Sequence, residues 1–430
     1  MNITVVGMGK IGLPLAVEFA RKGHKVFGAD VNKKTVDLIN SGVEPFPGEE
    51  NLQQYLTEVI KNGQLQATLD TTNAVSNSDA VVVVVPLFVD QSGIPDFEWM
   101  DSATISIGKG LKKGTLVSYE TTLPVGTTRN RFAKTLEEIS GLEAGVDFSL
   151  VFSPERVFTG RVFADLKKYP KLVGGINEAS AEAGVDFYNS VLDFDTRSDL
   201  AQPNGVWDLG SSEAAELAKL AETTYRDVNI ALANQFALFA EKNGIDIHKV
   251  IDASNSQPYS HIHRPGIAVG GHCIPIYPRM YLWNDPEASV VRVARETNAK
   301  MPSKVVETLD ELHGGLRGQK VVVLGAAYRG GVKETAFSGV FQTINSLKEL
   351  GAVVLVHDPL YSDEELIDLG FAPFHFGEEL DAAIVQADHA IYSEISYAEL
   401  PGIRTLLDGR GITRPQNWLK INRHLIGKAD

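Results

Sequence analysis

An α/β fold is predicted by three observations. Residues 1–40 and 318–359 repeat one design, an apolar strand, a glycine turn, a helix and a second strand ending in an aspartate. Between them runs a proline-free helical stretch of more than thirty residues, Ser211 to Gly244. Near-continuous apolar runs such as "DAVVVVVP" (Asp79 to Pro86) suit parallel strands covered on both faces by helices. Together these give two Rossmann-like, doubly wound parallel-sheet domains joined by a long central helix, divided at 1–205, 206–300 and 301–430.

Composition narrows the function classes. A chain of 430 residues exceeds what one core organises, and 43% hydrophobic with 22% charged residues is an ordinary globular balance. The formal charge of -15 repels polyanions, so neither nucleic acid nor an anionic membrane surface is an expected partner. One cysteine allows no internal disulfide and no cysteine-rich metal site, and no metal is expected. No apolar run reaches a membrane-spanning length, and the start enters a strand pattern without a signal peptide, so a cytoplasmic location is expected.

The first element is the most legible. In "MNITVVGMGKIGLPLAVEFARKG", Ile3 to Val6 read as a strand, and Gly7, Gly9 and Gly12 fit G-x-G-x-x-G with Lys10 and Ile11 filling the turn. Glycine permits the tight turn and lets backbone approach a pyrophosphate, while the helix start offers unsatisfied N–H donors. Asp30 ends the next strand, eighteen residues after Gly12, placed for an adenosine ribose; this favours NAD over NADP.

The following strands end in polar loops. Pro86 closes "DAVVVVVP", Thr121 and Thr122 follow "GTLVSYE", and Glu155 with Arg156 follow "DFSLVFSP". In parallel sheets such ends are where ligands bind. Pro86, Thr122 and Glu155 therefore join the cofactor-binding candidates, although Thr121 also reads as ordinary turn capping.

The middle helix opens on serine before acidic residues and closes on Asn-Gly. Its length suggests a spine between domains or a subunit interface. Lys219 and Thr223, four apart, share one face of it. The last third lacks the full glycine fingerprint, since Gly325, Gly330 and Gly331 are spaced differently, so part of a nucleotide is expected there and not a second dinucleotide.

Six pieces in order carry a resemblance over essentially the whole chain: "GMGKIGLPLA", "ETTLPVGTT", "FSPERVFTGR" with "YPKLVGG", "AELAKLAETTYRDVNIALAN", "PGIAVGGHCIP" and "VVVLGAAYRGGVKET". The chain resembles the UDP-sugar 6-dehydrogenases, which oxidise a sugar primary alcohol at C6 to a carboxylate with two NAD+. The resemblance implies a homodimer through the central helix and a C-terminal domain that holds the UDP. It assigns the nucleophile to Cys273, the alkoxide- and oxyanion-stabilising cation to Lys219, assistance in thioester hydrolysis to Glu155, and positioning of a water to Thr122. Substrate contacts are implied at Glu155, Arg156, Lys219, Arg264, Gly270 and Lys333. A thiolate suits this task because it adds readily to an aldehyde, and the adduct still has a hydride to give.

Three positions depart from the family pattern. Thr223 stands where an asparagine completes an oxyanion hole, Tyr277 where an aspartate pairs with the lysine, and Ala336 where an arginine approaches the sugar. Loss of one oxyanion donor elsewhere costs about 2.7–4 kcal/mol. His272 and Arg264 are candidates to compensate. A four-electron oxidation is expected, with UDP-N-acetylhexosamine favoured over UDP-glucose by the wording "AVGGHCIP". Open alternatives are a two-electron or redox-neutral modification of a UDP-sugar, a nucleotide-sugar-binding protein without chemistry, and an unrelated hydroxyacid-type dehydrogenase.

Overall fold

The structure, a computed structural model, describes residues 1–90 and 93–428. Two compact units divide the chain, Met1–Glu222 and Thr223–Asp430.

The first unit carries strands β1 (Asn2–Val6), β2 (Lys25–Ala29), β3 (Leu65–Thr68), β4 (Ala80–Val83), β5 (Phe88–Val89), β6 (Pro95–Asp96), β7 (Leu116–Tyr119), β8 (Ser149–Phe152), β9 (Lys171–Gly175) and β10 (Val206–Asp208). Its main sheet runs β10-β9-β8-β7-β4-β1-β2-β3, and β5 pairs with β6 apart from it. The six strands β8-β7-β4-β1-β2-β3 of that sheet are parallel, with Val6 level with Ala29 and Val83, and Tyr119 level with Phe152. All their C-terminal ends therefore lie along one edge. The order reverses at β1, where β2 and β4 lie on opposite sides and a crevice opens for a ligand.

Two strands run against the others. Strand β9 is antiparallel to β8, with Val151 opposite Gly175, and β10 follows β9 in parallel. The first residue of β9, Lys171, is thereby delivered to the ligand edge.

The core explains these elements. The helix Gly12–Arg21 buries every residue from Gly12 to Ala20, because it packs on the sheet and under neighbouring helices. Ile3, Val5, Leu15, Phe19 and Val82 are fully buried in one cluster with Phe187 and Tyr188 of the helix Glu178–Val191.

The second unit holds β11 (Lys320–Leu324), β12 (Val353–His357), β13 (Ala382–Val385), β14 (Thr405–Asp408) and β15 (Asn422–Leu425), all parallel in the order β12-β11-β13-β14-β15. It repeats the first unit's device. Asp358, after β12, accepts the Ala326 and Ala327 N–H groups at 2.8 and 3.1 Å. Here the turn is closed, since a Cβ at Gly330 would stand 2.1 Å from the Asp388 carbonyl oxygen. That packing agrees with the absence of a full dinucleotide fingerprint.

The central helix spans Ser212–Lys242, 31 residues, close to the expected 211–244. No helix of the described residues is long and apolar enough to cross a membrane.

Candidate active site

The glycine turn of the first unit has the geometry of a nucleotide cradle. The Gly7 N–H donates to Ala29 O at 2.8 Å with φ at +94°, a left-handed conformation that favours glycine. A Cβ on Gly12 would lie 1.8 Å from the Gly7 carbonyl oxygen, so that position also requires glycine. Gly9 is different: it is exposed, and an added Cβ would meet nothing within 4 Å. Its bare backbone is accounted for by what must approach from outside.

Around it, the helix beginning at Gly12 has no side-chain cap; the Leu13 and Leu15 N–H groups donate to the Gly9 and Ile11 carbonyls, and the positive end of the helix dipole faces the turn. Asp30 accepts Met8 N–H and Asn32 N–H, both at 2.8 Å, one on each carboxylate oxygen. Each oxygen keeps a lone pair for a ribose hydroxyl. Lys10 and Pro86 are exposed beside the turn and Ile11 is half-buried. These residues fit a dinucleotide.

The next strand ends build a carboxylate-rich edge. Thr121 Oγ1 donates to Val85 O at 2.7 Å, while Thr122 is buried. Glu216 fastens the loop beyond them, accepting Gly126 N–H at 2.5 Å and Thr128 N–H and Oγ1–H at 2.8 and 2.7 Å. Burial pushes the Glu216 carboxyl up to about 7 although these bonds favour the anion. Lys219 stands one helical turn after Glu216, so the loop of Thr122 is fastened to the helix that presents Lys219.

Glu155 lies at the same edge, and sequence reasoning missed its partners. Lys171 Nζ donates to Glu155 Oε2 at 3.0 Å and to Glu120 Oε2 at 2.7 Å. Lys171 and Glu120 are buried, whereas Arg156 reaches out to Glu222. The available signal was charge inside apolar strand patterns, "LVSYE" and "YPKLVGG", since isolated charges are rarely buried unless paired. The segment after Glu155 is pinned by Glu49, which accepts Gly160 and Val162 N–H groups at 2.6 Å.

In the second unit the cysteine loop is held from two sides. Below, glycine lets it press on the strand–turn–helix device: a Cβ on Gly270 would stand 2.7 Å from Tyr328 Cβ, and Gly271 at φ +91° lies against the Tyr328 ring. Above, Pro275 O accepts from Arg295 at 3.3 Å, and Arg295 Nε donates to Asp227 of the central helix at 2.5 Å. Asn298 donates to the Asp227 carbonyl and carboxylate, and Asn234 joins Asn298 to Gly266 N–H. Burial pushes the Asp227 carboxyl up, against the charge of Arg295. Thr223, buried, is one turn earlier on this face.

Cys273 itself is exposed, and its carbonyl accepts the Ile276 and Tyr277 N–H groups, opening the helix Tyr277–Asn284. His272 lies 3.6 Å from Glu334 and edge-on to Phe337, whose φ of +52° is costly for a bulky residue. Ala336 N–H donates to Glu334 at 3.1 Å. Arg264 is engaged by Asp252 and by the His248 carbonyl, and Lys333 by Glu365 at 2.5 Å. Both cations are half-exposed and keep further N–H donors beyond those their carboxylates take.

Two outcomes follow from this geometry. Gly12→Ala should destabilise the chain by about 1–3 kcal/mol or more through overpacking, whereas Gly9→Ala should leave the thermal midpoint unchanged and abolish NAD+ binding by calorimetry. Arg295→Met should cost about 3–5 kcal/mol in chemical unfolding by stranding Asp227, with most regained when Asp227→Asn is added. The alkylation rate of Cys273 should change in the single variant, because Pro275 loses its tether.

Comparison with known proteins agrees with this anatomy. Residues 1–192 match the NAD binding domain of the UDP-glucose/GDP-mannose dehydrogenase family, 213–300 its central domain and 322–415 its UDP binding domain. A UDP-N-acetyl-D-mannosamine dehydrogenase of Pyrococcus horikoshii is 33% identical over 429 residues, covering 96% of each chain. The solved UDP-D-ManNAc dehydrogenase structure from Pyrococcus horikoshii superposes with a TM-score of 0.87 at 30% identity, covering 100% of both chains. A UDP-glucose dehydrogenase from Pyrobaculum islandicum gives 0.86 at 26%, covering 100% of this chain and 98% of that one. With cradle, central helix and nucleotide domain matched in order over nearly the full length, the chain belongs to the UDP-glucose/GDP-mannose dehydrogenase family and is an NAD-dependent nucleotide-sugar dehydrogenase.

Proposed function

We propose that the chain oxidises the C6 primary alcohol of a UDP-N-acetylhexosamine to the uronate by a four-electron route through Cys273. Bound NAD+ supplies the hydride acceptor for both oxidations. The observation that carries the reading is the exposed Cys273 in a loop tethered through Pro275, Arg295 and Asp227. A merely structural cysteine would be buried, and its loop would not need such fixing.

In this reading the Cys273 thiolate adds to the C6 aldehyde to give a thiohemiacetal. Loss of the second hydride leaves a thioester. Lys219 stabilises negative charge on the sugar oxygen at both oxidations, with Thr223 as the neighbouring donor on the same helix face. Thr122 and Glu155 position and deprotonate the water that cleaves the thioester. Tyr277, at the start of the helix that follows Cys273, offers a phenol where a carboxylate is usual, so it donates a hydrogen bond and supplies no negative charge. Arg156, Arg264, Gly270 and Lys333 are assigned to the UDP-sugar.

The N-acetylhexosamine preference is supported by relatives named as UDP-N-acetyl-D-mannosamine dehydrogenases, which makes UDP-N-acetylmannosamine the first sugar to test. The division of labour assigned is 1–205 to the cofactor, 206–300 to the central helix and the cysteine loop, and 301–430 to the UDP. The enzyme is assigned to the cytoplasm, where NAD and a reduced thiol are both available.

A homodimer through the central helix is part of the proposal. Tyr225, Leu232, Phe236 and Phe239 are exposed and fall on one helical face. An exposed apolar stripe of this kind is a marker of a protein interface. Phe236→Glu with Phe239→Glu should halve the mass measured by light scattering.

The deciding experiment is a progress curve at 340 nm with limiting UDP-N-acetylmannosamine and excess NAD+. Two NADH per sugar and a uronate by mass spectrometry are expected, both abolished by Cys273→Ala. One NADH with aldehyde recovered would mean that Thr223, Tyr277 and Ala336 have stopped the reaction after the first oxidation.

A further inference from the structure

Five side chains, Ser118, Glu120, Glu155, Lys171 and Tyr188, form a hydrogen-bonded set behind the edge where Glu155 lies. Lys171 Nζ bridges Glu120 Oε2 and Glu155 Oε2 at 2.7 and 3.0 Å. Tyr188 OH donates to the other Glu120 oxygen at 2.6 Å and exchanges a 2.7 Å hydrogen bond with Ser118. Glu155 Oε1 accepts the Arg156 N–H at 2.7 Å. Glu120, Lys171 and Tyr188 are buried, and only Glu155 is partly exposed.

The charges do not cancel. Two carboxylates face one ammonium in a site shielded from water, and a lone buried negative charge is costly. The groups facing Glu120 are Glu155 from the β8 end, Lys171 from β9 and Tyr188 from the helix Glu178–Val191; the Arg156 guanidinium is turned toward Glu222 and Pro170 O. Burial, opposed by Lys171 and reinforced by Glu155, pushes the Glu120 carboxyl up to about 7. For Glu155 burial acts in the same sense, but Lys171, the Arg156 N–H and a hydrogen bond from Glu120 outweigh it and hold it below the usual carboxylate range. The two shifts differ in sign because Glu120 lies deeper and Glu155 alone gains a backbone donor. Glu120 is thereby a carboxylate that can take up or release a proton near neutrality, beside a Glu155 that stays ionised.

We propose that Glu120 and Lys171 are positioning residues for Glu155: Lys171 aims the Glu155 carboxylate, and Glu120 stores the proton that Glu155 takes from water during thioester hydrolysis. The inference rests on the thioester reading and on the role of Glu155 given above. In the step itself a water O–H bond breaks and the oxygen bonds to the acyl carbon. The proton passes to Glu155 and on to ionised Glu120. The C–S bond then breaks, its electron pair leaves on the Cys273 sulfur, and the carboxylic acid product loses its remaining proton to solvent. Electrons balance without an oxidant.

The relay requires Glu120 to be ionised before each turnover, so the acidic limb of hydrolysis belongs to Glu120 and should lie near its value of about 7. The test uses the full-length enzyme with saturating sugar and NAD+, following kcat and KM from acid to alkaline pH and the acyl form of Cys273 by intact mass after quenching. Glu120→Gln should flatten that limb, leave KM for the sugar and the first NADH burst unchanged, and let acyl-enzyme accumulate. Tyr188→Phe, which removes a donor to the Glu120 carboxylate, should move the limb to higher pH. Lys171→Met should lower kcat by about 10² with KM little changed, and Lys171→Arg should restore most of it.

A wild-type pH limb in folded Glu120→Gln overturns the proposal, as does a parallel fall of kcat, KM and thermal midpoint across the set, which marks a structural role. Should Lys171→Met fail to fold, Glu120→Gln and Tyr188→Phe carry the test. Glu155→Gln separates the two readings. If it hydrolyses as wild type does, the role of Glu155 falls and the inference with it; if it accumulates acyl-enzyme and Glu120→Gln does not, the inference alone falls.

Discussion

An ammonium group buried between two carboxylates ties three strands of the first unit together at the reacting edge. Lys171 is fully enclosed, and removing one partner of such a set costs about 3–5 kcal/mol, a large share of the 5–15 kcal/mol that holds a domain together. It fixes the relative height of three strand ends, since β7, β8 and β9 must bring Glu120, Glu155 and Lys171 to one level. The fully buried helix Glu178–Val191 face is committed to the same point through Tyr188.

The second unit solves a related problem with a longer chain of contacts. An exposed thiol on a glycine-rich loop has no side-chain bulk of its own to hold it in register. Asp227, Arg295 and the Pro275 carbonyl supply the rigidity from one side, and the Tyr328 ring supplies it from the other. Phe337, in a left-handed conformation beside His272, marks the place where backbone strain is tolerated near the cysteine.

Much of this was legible in the sequence because it is local. The glycine turn, its helix and Asp30 occupy thirty consecutive residues, and the close approach of Gly12 to Gly7 and the bond from Met8 N–H to Asp30 both lie inside that span. The central helix was readable from its unbroken helix-forming composition, to within two residues at its C-terminal end. The repeated design in the last third predicted the second parallel sheet. What was not legible depends on pairings distant in the chain. Glu120 and Lys171 are 51 residues apart, and Asp227 and Arg295 are 68 apart. Nor does an apolar strand pattern disclose its direction, so the reversal of β9 inside a mainly parallel sheet was not legible.

That reversal inverts a familiar way of sorting sequence variants. In an open parallel sheet, changes at the start of a strand affect stability and changes just beyond its end affect ligands. For residues 171–175 and 206–208 the polarity is opposite, because these strands begin where their neighbours finish. A substitution at the leading residue of β9 acts on the reacting edge, while one at its trailing glycines, packed against Ser211 and Ala181, acts on the scaffold. Natural variation in this short segment is therefore informative about chemistry at its front and about folding at its back.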